Sequence, residues 1–200
     1  KSNEIIFTGS ATESNCLALE GIALSNKNEN KHIIVSSIEH ACIMEAAKWL
    51  EKQSFEITRL KVDKYGLINP DDVKKAITKN TILVSIMHAN NEIGTIQPIK
   101  EIGEIIKRKS EILKSQIYFH TDAAQSFGKI PIDVNKMNID LLTASSHKIY
   151  GPKGTACLFI RKGIKIEPIL HGGGHEKGLR PSTSNESAIV GFAEIINICK

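Results

Sequence analysis

The sequence predicts an α/β domain of three layers, α/β/α, with helices on both faces of a mainly parallel sheet of about seven strands. Three observations predict it. Short β-rich runs alternate with helical stretches along the 200 residues. Several of those runs, Thr81-Ile82-Leu83-Val84-Ser85-Ile86 most clearly, are apolar at consecutive positions, as strands buried on both faces must be. The composition, 41% hydrophobic and 24% charged, is that of an ordinary globular chain long enough for one sizeable core. Alternating elements with doubly buried strands imply a parallel sheet between helical layers.

The elements follow in order. A first strand is expected at residues 4–8 and a helix at 13–25, with Ser10 or Thr12 as its cap and Glu13 in its first turn. A strand at 32–37 leads to a helix at 41–52, and a strand at 55–62 to a helix at 70–78. Strands at 81–88, 116–121, 140–145 and 155–161 and helices at 100–114 and 186–199 complete the pattern. No repeat, low-complexity tract or linker interrupts it, so residues 1–200 form one domain.

The net charge of +4 is spread over scattered basic residues without interleaved aromatics, which describes a solvated surface and not a DNA-binding face. No apolar run is long enough to span a membrane, and no signal-peptide pattern follows Lys1. Because it begins with Lys1 and not Met, the chain is expected to be an excised domain of a longer protein. Cys16, Cys42, Cys157 and Cys199 make no CxxC pair and no zinc spacing. They suit free thiols in a reducing compartment, the cytoplasm or an organelle matrix. No metal site is expected.

In open α/β sheets ligands bind beyond the carboxyl ends of the strands. Four segments there carry chemistry. Thr8-Gly9-Ser10-Ala11-Thr12 opens a helix, and its free N–H groups suit either an anion or an ordinary cap. His88-Ala89-Asn90-Asn91-Glu92-Ile93-Gly94 is a polar cluster that serves equally as a turn or a site. Asp122 ends an apolar strand, where a carboxylate needs a cationic partner: a protonated pyridine nitrogen, a helix N-terminus or a lysine. Lys148 follows another apolar strand directly. There it either snorkels to solvent or, withdrawn from water, acts as a nucleophile for carbonyl compounds.

Two motifs in order on one chain then become specific: Asn90-Asn91-Glu92-Ile93-Gly94 and His147-Lys148-Ile149-Tyr150-Gly151-Pro152-Lys153-Gly154. With Ala11-Thr12-Glu13-Ser14-Asn15, Glu39-His40, residues 122–128 and His171-Gly172-Gly173-Gly174-His175-Glu176, they give a chain that resembles the class V aminotransferase-like cysteine desulfurases of the iron–sulfur and nitrogen-fixation group. The resemblance runs from Phe7 to Cys199. It implies the large domain of a fold type I transferase dependent on pyridoxal 5'-phosphate (PLP). Lys148 would hold PLP as a Schiff base, Asp122 would pair with its pyridine nitrogen, and Gln125 would reach its phenolic oxygen. His40 would stack on the ring and, with Lys148, move protons. Ala11, Thr12, Ser145 and His147 would hold the phosphate, Asn91 would lie near ring and substrate, and Thr183 would contact the phosphate in the partner of a homodimer.

The implied reaction converts L-cysteine to L-alanine and leaves the sulfur on an enzyme cysteine, for delivery to an iron–sulfur scaffold or to tRNA thiolation. The family's sulfur-accepting cysteine lies beyond the position of Cys199, and its smaller domain is built from both chain ends. The chain is therefore expected to be about half of an enzyme, inactive alone; none of its four cysteines holds the acceptor position, and Cys16, Cys42 and Cys157 are expected to be packing residues. Two departures from the family pattern stand out. The stretch 107–116 is long, and Ser182 stands where a glycine is common. A selenocysteine lyase, another class V lyase or transaminase, and a non-catalytic scaffold are the alternatives. A hydrolase or zinc site at His171–His175 is disfavoured, since no Gly-x-Ser-x-Gly elbow exists and a glycine run is a poor helix.

Overall fold

The computed structural model of the chain describes residues 2–26 and 31–199. Seven strands form one sheet: β1 (Ile5–Thr8), β2 (His32–Ser36), β3 (Glu56–Leu60), β4 (Thr81–Ser85), β5 (Tyr118–Asp122), β6 (Leu141–Ser145) and β7 (Ala156–Ile160). Their spatial order is β1-β7-β6-β5-β4-β2-β3. The pairs from β6 across to β3 are parallel, while β7 is antiparallel to both β6 and β1. β1 therefore runs the same way as the parallel strands, and every strand except β7 ends on one edge. Chain progression reverses between β2 and β4, the kind of switch point that opens a crevice.

The helices are α1 (Ala11–Ser25), α2 (Ala41–Lys52), α3 (Pro70–Ala76), α4 (Ile99–Leu113) and α5 (Glu186–Ile198). All twelve expected elements are present, with shifted ends. α1 starts two residues earlier than expected because Ser10, in extended conformation, accepts the Glu13 N–H at 3.1 Å and is itself the cap. The strand expected at 81–88 stops at Ser85. Ile86 and His88 still donate to the carbonyls of His120 and Asp122, at 3.1 and 2.9 Å, as the chain leaves the sheet. The strand expected at 55–62 closes at Leu60, and Val62 turns to pair with Ile68.

Consecutive apolar residues of β2, β4, β6 and β7 feed two separate cores. Ile33, Val35, Leu83, Leu141 and Leu158 pack beneath α1 and α2, while Ile34, Val84, Phe119, Leu142 and Phe159 pack beneath α3, α4 and α5. The helices answer with apolar stripes at the helical period: Ile43, Ala46, Ala47 and Leu50 in α2, and Ile99, Ile102, Gly103 and Ile106 in α4. α3 has the Asn69 cap, Pro70 at its first position and Asp71 in its first turn, each suited to a helix start.

Two buried histidines tie strands together. His120 reaches Ser85 Oγ at 2.8 Å and Thr143 Oγ1 at 3.2 Å, so one ring joins β4, β5 and β6. Burial pushes its pKa down to about 3, and it stays neutral. His32 joins β2 to both neighbours through Thr81 (2.8 Å) and Thr58 (2.9 Å).

Gly103 lies on the buried face of α4, where a Cβ would run into the carbonyl oxygen of Met137. Alanine would gain about 1 kcal/mol of helix propensity. Overpacking against backbone costs about 1–3 kcal/mol. Gly103→Ala is expected to lower the urea midpoint. A midpoint raised above wild type would mean that the segment carrying Met137 yields freely.

Candidate active site

The carboxyl edge of the sheet holds a cleft of about 210 Å³ lined by Ser10, Ala11, Thr12, Asn15, His40, Met87, Ala89, Asn91, Asp122, Ala124, Gln125, His147 and Lys148. These side chains come from the turns after β1, β2, β4, β5 and β6. Parallel strands end together, so residues more than a hundred positions apart meet there.

Lys148 is presented by a 3-10 turn, Ser146–Ile149, whose two ends are anchored: Ser146 is fully buried and Ile149 is in the core. The turn closes on Tyr150, at φ 68°, and Gly151 donates back to the Ser146 carbonyl at 3.0 Å. Any side chain at Gly151 would strike Ser146 Oγ, so the sharp reversal needs glycine. Lys148 itself is half-buried.

Asp122 is the floor of the cleft. It is 6% exposed, and burial pushes its carboxyl above the usual range, opposed by the Ala124 N–H, Asn15 and the charge of Lys148. Oδ1 accepts the Ala124 N–H at 2.8 Å and Oδ2 accepts Asn15 Nδ2 at 2.7 Å. No salt bridge reaches it among the described residues. At the rim, neither the Ala11 nor the Thr12 N–H has an acceptor among the described residues, so both remain open to an anion at the positive end of α1. His147 sits beside them, its Nδ1 3.0 Å from Ser145 Oγ. Burial, then the charges of Lys148 and Lys153, hold the His147 pKa below the ordinary histidine value.

Of the ten residues expected at the site, Ala11, Thr12, His40, Asn91, Asp122, Gln125, His147 and Lys148 line this cleft, and Ser145 lies buried behind His147. Thr183 does not join them. It is exposed on a second pocket, with Gly9, Gly154, Thr155, Arg180 and Asn185. Arg180 docks that segment on α1 through Glu13 at 2.8 Å, and Glu13 also accepts the Gly9 N–H at 2.7 Å. Ser182 adopts φ 128°, which explains why glycine suits that position.

Sequence reasoning missed three residues. Asn15, one turn beyond Ala11 on α1, is fully buried against Asp122. Glu39 is buried behind the cleft wall, where its Oε1 accepts from Ser36 Oγ (2.6 Å) and from the Met87 N–H (2.8 Å). Cys42, expected only to pack, does pack from α2 against the core but also lies 3.0 Å from His40 Nδ1 and 3.3 Å from Asn15 Nδ2. The helical spacing from Ala11 to Asn15 was the available signal. Cys157 is a core residue, and burial raises its thiol to about 12, as it does for Cys16. His171 and His175 are exposed on the glycine-rich loop, and no group of three or more His, Cys, Asp or Glu among the described residues could hold a metal. No helix among them is long and apolar enough to cross a membrane.

The model of the aminotransferase class-V family matches residues 1–199. The chain belongs to the class V aminotransferase family. Within it, the cysteine desulfurase IscS of Methanosarcina thermophila is 56% identical over 194 residues, covering 97% of this chain and 46% of that protein. The mitochondrial cysteine desulfurase of Saccharomyces cerevisiae is 52% identical over 199 residues, covering 98% of this chain and 39% of its own length. A solved NifS-like protein superposes with a TM-score of 0.94 at 40% identity, over 100% of this chain and 53% of that one. A structure of SspA in complex with cysteine gives 0.93 at 45% identity, over 98% and 56%. The class V chain described here thus spans about half the length of the curated relatives it matches.

Two expectations follow for this class V domain. Ser182→Gly relieves the positive φ and raises stability by about 1 kcal/mol, measurable by urea unfolding. The second concerns Glu39, whose carboxyl burial pushes up to about 8 against an unfolded value of 4.5. Between those values the folded chain keeps a proton that the unfolded chain releases. The contribution is therefore complete below pH 4.5 and is lost as pH rises through 8. Glu39→Gln cannot titrate, so its unfolding midpoint should gain on wild type as pH rises from about 5 to about 8. A constant difference across that range would contradict the assignment.

Proposed function

We propose that Lys148 holds pyridoxal 5'-phosphate in this cleft, and that the longer protein is a cysteine desulfurase. In this reading it converts L-cysteine to L-alanine and passes the sulfur to a cysteine of its own. The observation that carries the proposal is Asp122: a buried carboxyl without an ion-pair partner among the described residues, on the floor of a cleft that also holds Lys148. A protonated ring nitrogen is the partner that such a carboxyl lacks. The open N–H groups of Ala11 and Thr12 provide a matching anion site at the same cleft.

The residues present fit the cofactor. Lys148 would hold it, Asp122 would face its ring nitrogen, and Gln125 its phenolic oxygen. His40 would lie against the ring, and Asn91 near ring and substrate. Ala11, Thr12, Ser145 and His147 would bind the phosphate. When bound, the cofactor supplies an electron sink for the substrate's α-carbon. Lys148, on its anchored turn, would be the amine exchanged for the substrate's, and it would then serve as a proton carrier. His40 would be a further proton-bearing group of the cleft.

Thr183 lies apart from the cleft on an exposed pocket, which agrees with a role at the phosphate site of a second copy in a homodimer. Cys16 and Cys157, with thiols raised to about 12, are poor nucleophiles. In this reading the sulfur acceptor belongs to the other half of the enzyme. An iron–sulfur scaffold or a tRNA-thiolation protein would receive the sulfur. The four cysteines are free, which suits a reducing cytoplasm.

The purified chain mixed with PLP should turn yellow, and borohydride should fix the cofactor to the peptide containing Lys148. Lys148→Ala should give no adduct. An adduct of equal yield in that variant, or none in wild type, overturns the proposal. In the full-length protein Lys148→Ala should lower alanine release from L-cysteine by a factor of about 100 or more.

A further inference from the structure

His40 caps α2, and its contacts decide more than its position. Nδ1 accepts the backbone N–H of Cys42 at 3.2 Å. A backbone N–H can only donate, so Nδ1 must carry a lone pair. The Cys42 side chain adds a second constraint, with Sγ 3.0 Å from the same Nδ1. Sγ also accepts from Asn15 Nδ2 at 3.3 Å and from the Thr12 hydroxyl, whose donation favours the thiolate, so its own hydrogen is left for the imidazole. Burial raises the Cys42 thiol above its ordinary value, so that hydrogen is kept at neutral pH. A proton on Nδ1 would face two donors.

From these contacts we infer that Cys42 is a positioning residue that holds His40 as the Nε2–H tautomer. Nε2, on the far edge of the ring from Cys42, has no protein partner among the described residues, and His40 lines the cleft. His40 therefore meets a bound molecule as a hydrogen-bond donor, and it takes up no proton at Nε2 until it has given one away. In the reaction proposed above, the first proton is then taken by Lys148 and not by His40. The contacts also form one chain: Asp122 Oδ2 to Asn15 Nδ2 (2.7 Å), Asn15 Nδ2 to Cys42 Sγ, and Cys42 Sγ to His40 Nδ1. Cys42 thereby links the carboxyl on the cleft floor to the imidazole at its wall.

The use of His40 in proton transfer rests on the PLP reading, but the tautomer belongs to the chain alone. The test is therefore made without cofactor, and failure of PLP binding would appear separately in the borohydride experiment. The chain is labelled with 15N-histidine, in a buffer alkaline enough to keep imidazoles neutral. His40 is assigned among the seven histidines by the loss of its signals in His40→Gln. Wild type should show Nδ1 as an unprotonated ring nitrogen and Nε2 as a protonated one. Cys42→Ala keeps the backbone N–H but loses the thiol, so the Nδ1 signal should move to higher frequency, and Cys42→Ser should move it back. Protonated Nδ1 or averaged tautomers in wild type overturn the inference. An unmoved Nδ1 signal in Cys42→Ala overturns the part assigned to the side chain. If both variants unfold, seen as loss of histidine signal dispersion, the wild-type spectrum alone decides.

Discussion

Ionising a carboxyl group inside a protein is costly unless donors and positive charge surround it. Asp122 meets that requirement in part: Ala124 and Asn15 donate to its two oxygens, and Lys148 lies near enough for its charge to oppose the effect of burial. Much of the cleft follows from serving this group. Asn15 is buried on α1 to reach it, and Cys42 leans on Asn15 while holding His40 from behind. The remaining deficit is one positive charge, and a cationic ligand would fill it.

The sheet makes this arrangement possible. Strands that run in one direction bring their following turns to one edge, and the reversal of order between β2 and β4 opens space between those turns. Buried histidines stiffen the platform at low electrostatic cost because they remain neutral. His120 and His32 each bind two neighbouring strands through hydroxyl groups. Lys148 gains its fixed position from Ser146 and Ile149, which are buried on either side of the exposed His147 and half-buried Lys148.

Unsatisfied polar atoms gather at the same edge. Asn15 Oδ1, Glu39 Oε2, Ser146 Oγ and Thr155 Oγ1 are buried with no partner among the described residues. All four lie on segments bordering the cleft or the Thr183 pocket. Together with the raised carboxyls of Glu39 and Asp122, they make this edge the costly part of the fold, while the two apolar cores below carry its stability.

The sequence by itself determined the layers, the order of elements and most of the cleft. Consecutive apolar positions such as Ile82-Leu83-Val84 require burial on both faces, and that requirement is local and visible. The motif around Lys148 and the position of Asp122 at a strand end were equally legible, because a strand end is a point in sequence. Only the tertiary structure decided which groups touch. Asn15 lies 107 positions from Asp122, and Cys42 looked like one more small helix residue until its Sγ came to rest beside His40. Thr183 was also placed by long-range docking, through Arg180 and Glu13, on a pocket of its own. Composition and periodicity record how each residue meets water and its chain neighbours. Hydrogen bonds and pKa values depend on distances between segments, and those exist only once the sheet has brought the segments together.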